Sequence, residues 1–145
     1  MSERAELKCK IHQLNSLSNK KYVVICSFYE GKFLLSKHKK RDTWETQGGH
    51  IEKNETPFDA AKRELFEESG VIDADLIPIC DYCGYNDTDF ANGIVFLANV
   101  HSLGSLPESE MEKVEIFEEL PDNLTYPNVT PILFDESLKI YQKLS

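Results

Sequence analysis

Three glutamates in the middle of the chain have the spacing that gathers carboxylates on one side of a helix. Glu64, Glu67 and Glu68 would span an arc of about 100° on a helix, because Glu67 and Glu68 follow Glu64 by three and four residues. Exposed like charges at this spacing repel one another by about 0.2–0.5 kcal/mol per pair. Something should offset that repulsion, and the two candidates are a metal cation and a basic side chain such as Arg63. We call these three glutamates the carboxylate cluster.

The chemistry that suits such a cluster is the binding of a hard cation beside phosphate groups. Mg²⁺ prefers one or two carboxylates together with waters and substrate phosphates. A cation held in this way neutralises the charge of a diphosphate and positions a water molecule for attack. A remaining carboxylate could then take a proton from that water. In an arbitrary protein, however, a run of glutamates is more often a solvated helix face.

The residues around the carboxylate cluster predict a helix from Pro57 to Ser69. Thr56 suits the N-cap position, Pro57 suits the first helical position, and Asp59 stands at the third. Gly70 stands where a left-handed residue would end the helix. An adjoining apolar stripe is expected to face the core, and it consists of Phe58, Ala61 and Leu65.

The rest of the chain predicts a mixed sheet and one more helix. Strong β runs occupy residues 22–29, 32–36 and 93–100, and weaker ones lie near 7–14, within 71–86 and over 113–118. Glu30 and Gly31 predict a tight hairpin turn. Thr130 is expected to cap a last helix, with Pro131 at its first position. This order favours an α+β or α/β sandwich with a mixed sheet.

Length and charge limit the classes of protein. The 145 residues suggest one domain over 1–145, with 1–20 as a peripheral segment. The chain has no apolar run of about 20 residues and no signal-peptide core, so we expect a cytoplasmic protein with no membrane partner. The net charge of −9 argues against long nucleic acid as a partner.

A basic cluster at residues 37–41 precedes the glycines and the carboxylate cluster. A solvated hairpin end is the ordinary interpretation, but beside an acidic metal site a phosphate contact is equally well supported. We therefore expect Lys37, Lys39 and Arg41 to contact substrate. Trp44 is a further candidate for substrate binding, against the more ordinary interpretation of a core residue.

The spacing of the four cysteines indicates no particular functional site. Cys80 and Cys83 form a lone C-x-x-C pair, whereas zinc sites usually need a second pair or histidines at ligand spacing. Cys9 and Cys26 are not spaced as ligands. Structural thiols are therefore favoured, and metal or redox roles stand as the alternatives.

The segment from Gly49 to Val71 resembles the Nudix hydrolase signature, G-x5-E-x7-R-E-U-x-E-E-x-G-U, where U is a bulky aliphatic residue. Every defined position matches, and the matching residues are Gly49, Glu55, Arg63, Glu64, Leu65, Glu67, Glu68, Gly70 and Val71. Two departures lie nearby. Gln47 stands where the family usually has proline, and it is expected to loosen the loop or to place a polar group near substrate. Asn54 stands where many members have glycine, and it tolerates a left-handed turn.

The resemblance implies an α/β/α sandwich and a hydrolase that uses Mg²⁺ or Mn²⁺ to cleave a nucleoside diphosphate linked to another group. Glu67 and Glu68 would be principal metal ligands, Glu64 a further ligand or the catalytic base, and the Gly48 carbonyl a ligand. Arg63 would orient a glutamate and act in catalysis. The supporting residues of the motif would be Gly49, Glu55 and Gly70.

A late glutamate often joins the metal shell in this family, and the sequence offers four candidates. They are Glu108, Glu110, Glu112 and Glu115. We expect Glu112 or Glu115, with Glu112 as the named metal ligand, because these two adjoin the predicted late strand.

The resemblance favours a nucleoside triphosphate pyrophosphohydrolase, with the removal of oxidised nucleotides as one such role. The alternatives within the class are a hydrolase of 5′-triphosphate RNA, of sugar nucleotides or of dinucleoside polyphosphates. Outside the class stand a nucleotide sensor that has lost catalysis and a purely structural or interaction domain. A homodimer is left open as an assembly state.

Overall fold

The computed structural model describes residues 3–144. These residues form three α-helices, a closing 3-10 turn and eight strands. The helices are α1 (Glu3–Glu6), α2 (Pro57–Ser69) and α3 (Thr130–Tyr141), and the closing turn is Gln142–Leu144. The strands are β1 (Lys8–His12), β2 (Lys20–Tyr29), β3 (Lys32–His38), β4 (Trp44–Glu45), β5 (Gln47–His50), β6 (Asp73–Tyr85), β7 (Phe90–Ser102) and β8 (Met111–Phe117).

Within the described residues, the eight strands form one mixed sheet. Its main order is β1-β6-β7-β2-β3-β4, while β5 pairs with β2 and β8 pairs with β3. β2 and β7 run parallel, and the other pairs are antiparallel. The predicted mixed sheet is therefore confirmed. The pairing of β5 with β2 matters for function, because it places Gly48 and Gly49 beside Val24 and Val23 in the middle of the sheet.

The two central strands are buried on both faces, and each face is covered by a helix. Along β7, Ile94 and Phe96 pack in the core under α2, while Val95 and Leu97 pack in the core under α3. This alternation follows from the two-residue period of a strand. The result is an α/β/α sandwich, as the resemblance implied, with α2 as the layer that carries the carboxylate cluster.

The predicted boundaries and caps of α2 are confirmed. The Thr56 Oγ1 atom accepts a hydrogen bond from the Asp59 N–H at 3.1 Å. Gly70 has φ of 79°, and its N–H donates to the Phe66 carbonyl at 2.8 Å. The predicted apolar stripe is correct for Ala61 and Leu65, which are buried together with Ala60. Phe58 differs, because it lies in the first turn at the edge of the core and is 48% exposed.

The N-terminal segment contributes an edge strand to the sheet. β1 pairs with β6 from Lys8 opposite Tyr85 to His12 opposite Asp81. Cys9 of this strand is buried in the core under α3. The weak strand expected near residues 7–14 is therefore confirmed as β1, which lies at one end of the sheet order. Met1 and Ser2 lie outside the described residues.

The last helix begins one residue differently from the prediction. Val129 is the N-cap of α3 and makes no side-chain capping hydrogen bond, while Thr130 is already helical and buried. The Thr130 N–H donates to the Tyr126 carbonyl at 3.0 Å, so the preceding turn is already hydrogen-bonded. The Tyr126 backbone carbonyl thus accepts an N–H of the first turn, and the predicted side-chain cap by Thr130 is not formed.

Three of the four cysteines are buried, and all four are free thiols. Burial raises the pKa of Cys80 to about 12, so this thiol is inert as a nucleophile at neutral pH. Among residues 3–144, no helix is long and apolar enough to cross a membrane.

Candidate active site

Two glutamates of α2 lie directly against the glycine pair of β5. The Gly48 N–H donates to Glu68 Oε1 at 2.8 Å, which holds this carboxylate against β5. A Cβ added to Gly49 would overlap the Glu64 carboxylate. The Glu64 side chain would have to move to admit that Cβ, whereas a Cβ on Gly48 would meet the Val23 backbone carbonyl oxygen at 2.5 Å. The close approach of the backbone therefore favours glycine most strongly at position 48. Gly48 and Gly49 bring the strand backbone against the carboxylate cluster.

Arg63 holds the loop before α2 to the helix. Its Nε and Nη2 atoms donate to the two oxygens of Glu55 at 2.6 and 3.0 Å, which is a bidentate pair. Its Nη1 atom donates to Glu67 Oε1 at 3.1 Å, and its Nη2 atom also donates to the His50 carbonyl at 3.0 Å. The hydrogen bond from Arg63 lowers the pKa of Glu55 to about 2. Arg63 is thus one of the two predicted sources of positive charge.

The guanidinium does not neutralise the whole cluster. Burial raises the pKa of Glu64 to about 7, against the opposing effect of Arg63. Burial also raises the pKa of Glu68 to about 8, against the opposing hydrogen bond from Gly48, and the charges of Glu64, Glu45 and Glu110 raise it further. Burial disfavours the charged form of both carboxyls, and a nearby cation would favour it. A further cation bound here would therefore lower both pKa values.

The donor set fits a hard divalent cation. The cluster offers oxygen atoms only, and the Glu67 side chain is 47% exposed and so remains accessible. Among residues 3–144, no three side chains of the metal-ligating types are already close enough to hold an ion by themselves. Mg²⁺ does not need such a cage, because it usually keeps several waters and takes one or two carboxylates together with substrate phosphates.

Of the late glutamates, Glu110 is largely exposed and pairs with His38 at 3.4 Å, and its charge acts weakly on the carboxylate cluster. It contributes to the raised pKa of Glu68, and it lies in the loop just before β8. The expected ligand Glu112 instead pairs with Lys37 Nζ at 3.4 Å. Glu115 pairs with Lys113 in the same strand at 3.4 Å. β8 starts at Met111, so Glu112 and Glu115 lie in the strand and Glu110 precedes it. The choice of the late glutamate that joins the metal shell therefore stays a prediction.

The basic cluster is paired with carboxylates one by one. Lys39 Nζ lies 2.9 Å from Glu108, and Arg41 Nη1 lies 3.1 Å from both oxygens of Glu45. Lys37, as noted, pairs with Glu112. Of these partners, only Glu45 is buried, and its charge also acts on Glu68. Arg41 is therefore the member of the basic cluster that is tied to the active site.

Trp44 is a core residue in this structure. It is buried, and its ring packs edge-on against Phe117 with centroids 4.9 Å apart. The Lys113 Nζ atom lies 5.5 Å from the centre of the same ring. The expected contact of Trp44 with substrate is not supported, since neighbouring side chains cover the indole.

A cavity of about 390 Å³ adjoins the carboxylate cluster, and it is lined by Glu68, Gly48 and Gly49 together with residues from elsewhere in the chain. Those that offer polar or aromatic groups are Tyr22, Glu45, His50, Tyr82 and Tyr126. Sequence reasoning missed Glu45 as a site residue. The one available signal was its place three residues before the glycine pair.

The two departures from the signature have different outcomes. Asn54 has φ of 69°, so the left-handed turn survives as expected. Gln47 neither loosens the loop nor faces the cavity. Its side chain is completely buried and hydrogen-bonded to Ser27 and Ser36 on two other strands.

Comparison with known proteins agrees with this geometry. The sequence profile of the NUDIX domain matches residues 19–131. An RNA pyrophosphohydrolase of Bartonella henselae is 43% identical over 44 residues, which make up 30% of this chain and 25% of that protein. The chain thus matches about a quarter of the length of this curated relative.

Solved structures share the fold over most of the chain. The pyrophosphohydrolase BsRppH of Bacillus subtilis aligns with a TM-score of 0.70 and 25% identity, over 94% of this chain and 87% of that one. The NUDIX domain of Shewanella oneidensis NrtR, solved with ADP ribose, aligns with a TM-score of 0.65 over 89% of this chain and 90% of that one, at 15% identity. That second likeness concerns the fold alone. From the profile match, the complete motif and the shared sandwich, we conclude that the chain belongs to the NUDIX family of hydrolases.

Proposed function

We propose that this protein hydrolyses a nucleoside triphosphate to the nucleoside monophosphate and pyrophosphate in a reaction that depends on Mg²⁺ or Mn²⁺. One observation carries the proposal. Glu68 belongs both to the carboxylate cluster and to the wall of the 390 Å³ cavity, and the Gly48 N–H that holds it lies in the same wall. A nucleotide seated in the cavity would therefore have its phosphates beside the acidic residues.

Each residue of the cluster has a role in this proposal. Glu67 and Glu68 are principal ligands, with the Gly48 carbonyl as a further ligand, and Glu64 is either a ligand or the acceptor of the water proton. The bound cation would neutralise phosphate charge and lower the pKa of the attacking water. Arg63 keeps Glu67 oriented through the 3.1 Å hydrogen bond and holds Glu55 in the loop.

The cavity favours a single nucleoside as the group beyond the phosphates. Its volume of about 390 Å³ lies at the small end of the usual range of ligand pockets, about 300–1,000 Å³. Glu45 and Tyr126 provide polar groups in the wall. We assign Arg41, which is held against Glu45, to a substrate contact. Lys37 and Lys39, paired with exposed carboxylates, are left as surface charges of lesser effect.

A second candidate substrate is RNA with a 5′-triphosphate end. One relative favours it by name, the RNA pyrophosphohydrolase of Bartonella henselae. The net charge of −9 weighs against long RNA, because binding an RNA backbone gains from a basic surface. The same 5′-triphosphate chemistry would serve both substrates.

A substrate panel tests the proposal. Purified protein with Mg²⁺, and separately with Mn²⁺, is given canonical and oxidised nucleoside triphosphates, 5′-triphosphate RNA, sugar nucleotides including ADP-ribose, and dinucleoside polyphosphates. We expect the highest kcat/KM on a nucleoside triphosphate, with pyrophosphate as product and no turnover in EDTA. A higher value on RNA selects the second candidate. Binding without turnover on any compound would mean a nucleotide sensor.

The late glutamate is tested by two parallel variants. We expect Glu110→Gln to lower kcat at least roughly tenfold, because a carboxylate near the reacting water contributes as base or ligand. Glu112→Gln should change kcat less, since Glu112 pairs with Lys37. If Glu112→Gln has the larger effect, the assignment returns to Glu112.

A further inference from the structure

A chain of buried hydrogen bonds connects the centre of the sheet to α2. Ser27 on β2, Ser36 on β3 and Gln47 on β5 are all fully buried. The Ser27 hydroxyl lies 2.7 Å from Gln47 Oε1, and Gln47 Nε2 lies 2.9 Å from Ser36 Oγ. The Ser36 hydroxyl in turn lies 2.7 Å from the backbone carbonyl of Glu68. The side chains of β2, β3 and β5 are thereby linked to the backbone of α2.

The direction of this chain is determined by its last member. The Glu68 carbonyl can only accept, so Ser36 must donate to it, and the Ser36 oxygen is then free to accept from the Gln47 amide nitrogen. The second N–H of that amide donates to the Leu34 carbonyl at 3.3 Å, which fixes the same amide orientation independently. Gln47 Oε1 therefore faces Ser27, whose hydroxyl must donate. Every polar atom of the network has a partner, and bonds arranged in one direction strengthen one another.

The network ends at Glu68, one of the proposed metal ligands. α2 ends at Ser69, so the carbonyl of Glu68 is one of the last four and has no acceptor role inside the helix. Ser36 supplies the missing donor. Glu68 is then held twice, by Ser36 at its backbone and by the Gly48 N–H at its carboxylate. Gln47 directly precedes Gly48 in β5, and its side chain donates to Ser36. Gln47 therefore links the strand that carries Gly48 to the serine that holds Glu68.

We propose that Ser36 and Gln47 are positioning residues, which set the distance between Glu68 and the Gly48 backbone and thereby the metal affinity of the site. The inference rests on the proposed function. It also gives the position that is usually proline a task that proline could not perform, because proline has no side-chain donor or acceptor. Neither residue touches the cation or the substrate, so both act through Glu68.

The test compares two buried serines. Ser36→Ala removes the hydroxyl that donates to the Glu68 carbonyl. The matched control is Ser137→Ala, because Ser137 is equally buried and its hydroxyl donates to a helix carbonyl, that of Leu133, at 2.7 Å on the opposite side of the sheet. For each protein we measure Tm, Mn²⁺ affinity without substrate, the Mg²⁺ concentration for half-maximal activity, and KM at saturating Mg²⁺.

Both variants should lower Tm, but only Ser36→Ala should weaken metal binding. We expect its Mn²⁺ Kd and its half-maximal Mg²⁺ concentration to rise about tenfold, as for other groups that orient metal ligands. Its KM at saturating metal should change less than twofold. Equal losses of Tm with an unchanged Mn²⁺ Kd in Ser36→Ala would overturn the inference and leave the network a purely structural one.

Two milder variants keep the inference testable if Ser36→Ala fails to fold. Ser36→Cys keeps a weaker donor at nearly the same size and should give an intermediate Mn²⁺ Kd. Gln47→Met keeps the length of the side chain but removes its polar atoms, and it should also weaken Mn²⁺ binding. Normal Mn²⁺ affinity in both would overturn the inference. Failure of the proposed function is distinguishable, since the wild-type protein would then bind Mn²⁺ while hydrolysing nothing in the panel.

Discussion

Two charged regions of this molecule are neutralised in different ways. In the basic cluster at residues 37–41, three cations have carboxylate partners of their own, and most of these partners are exposed. In the carboxylate cluster, Glu64 and Glu67 share the single guanidinium of Arg63 with Glu52 and Glu55, and Glu68 has no ion pair with it. Two members of the cluster face inward, against Gly48 and Gly49.

The difference shows which region is built to take up a further charge. A surface ion pair in water is worth about 0–1 kcal/mol and is complete without a ligand. Buried carboxylates with too few cations are costly, and that cost falls when a divalent ion binds. We therefore place the chemistry at the carboxylate cluster and expect modest effects from the basic one.

The largest effect is expected from Glu67→Gln. The substitution keeps the size of the side chain but removes a charged ligand, so kcat should fall roughly 10³-fold or more while Tm is preserved. The control is Glu118→Gln, which changes an exposed glutamate of a distant ion pair with Lys32. Steady-state kinetics and thermal unfolding of both variants provide the comparison. A Glu67→Gln enzyme of normal kcat would remove the metal role from this residue.

Arg63→Lys should have the next largest effect. Lysine keeps the charge but cannot make the bidentate pair with Glu55 and the bond to Glu67 at the same time. We expect a loss of about 10–100-fold in metal affinity or kcat. Lys62→Arg on the exposed face of the same helix is the control for a conservative exchange. Similar kinetics in the two variants would show that a simple positive charge at position 63 is sufficient.

The stability of the metal-free protein should depend on pH because of the carboxylate cluster. The pKa values of Glu64 and Glu68 are raised to about 7 and about 8 by burial, against an ordinary value of 4.5. Between pH 4.5 and 8 the folded state therefore holds protons that the unfolded state has released, so the free energy of unfolding falls as pH rises. Tm measured in EDTA across this range should decline, and Mg²⁺ should reduce the decline. A Glu68→Gln variant whose Tm declines as steeply as the wild type would contradict this origin.

The smallest effect is expected from Lys39→Ala. Lys39 pairs with Glu108 at the surface, and both side chains are largely exposed. We expect KM for a nucleoside triphosphate to change less than about threefold. Arg41→Ala should raise KM more, because it leaves Glu45 buried beside the cavity without its partner. An increase in KM with Lys39→Ala that exceeds the increase with Arg41→Ala would return the substrate contact to the lysines.

The features that the sequence predicted well depend on neighbouring residues. The bounds of α2 follow from Thr56, Pro57 and Gly70, which act within a few residues of the helix they limit. The gathering of the carboxylate cluster follows from helical spacing alone. The hairpin at Glu30 and Gly31 is confirmed by positive φ at both positions, which is the signature of a tight two-residue turn.

The features that the sequence did not predict depend on partners far along the chain. Gln47 was read as a local change in a loop, but its hydrogen-bond partners are on β2 and β3. Glu110 and Glu112 are alike in sequence, but Glu110 lies in the loop before β8 and Glu112 lies within that strand, which pairs with β3. Trp44 is covered by Phe117, more than 70 residues later. Pairing register is a property of the whole sheet, and no short pattern contains it.

The most direct measurement is a crystal structure with Mn²⁺ and a non-hydrolysable nucleoside triphosphate, using anomalous scattering to locate the metal. We expect Mn²⁺ to be bonded to carboxylate oxygens of Glu67 and Glu68 and to phosphate oxygens of the analogue. The nucleoside should lie in the cavity beside Gly48. An analogue bound elsewhere, or one bound with no anomalous peak at the carboxylate cluster, would contradict it.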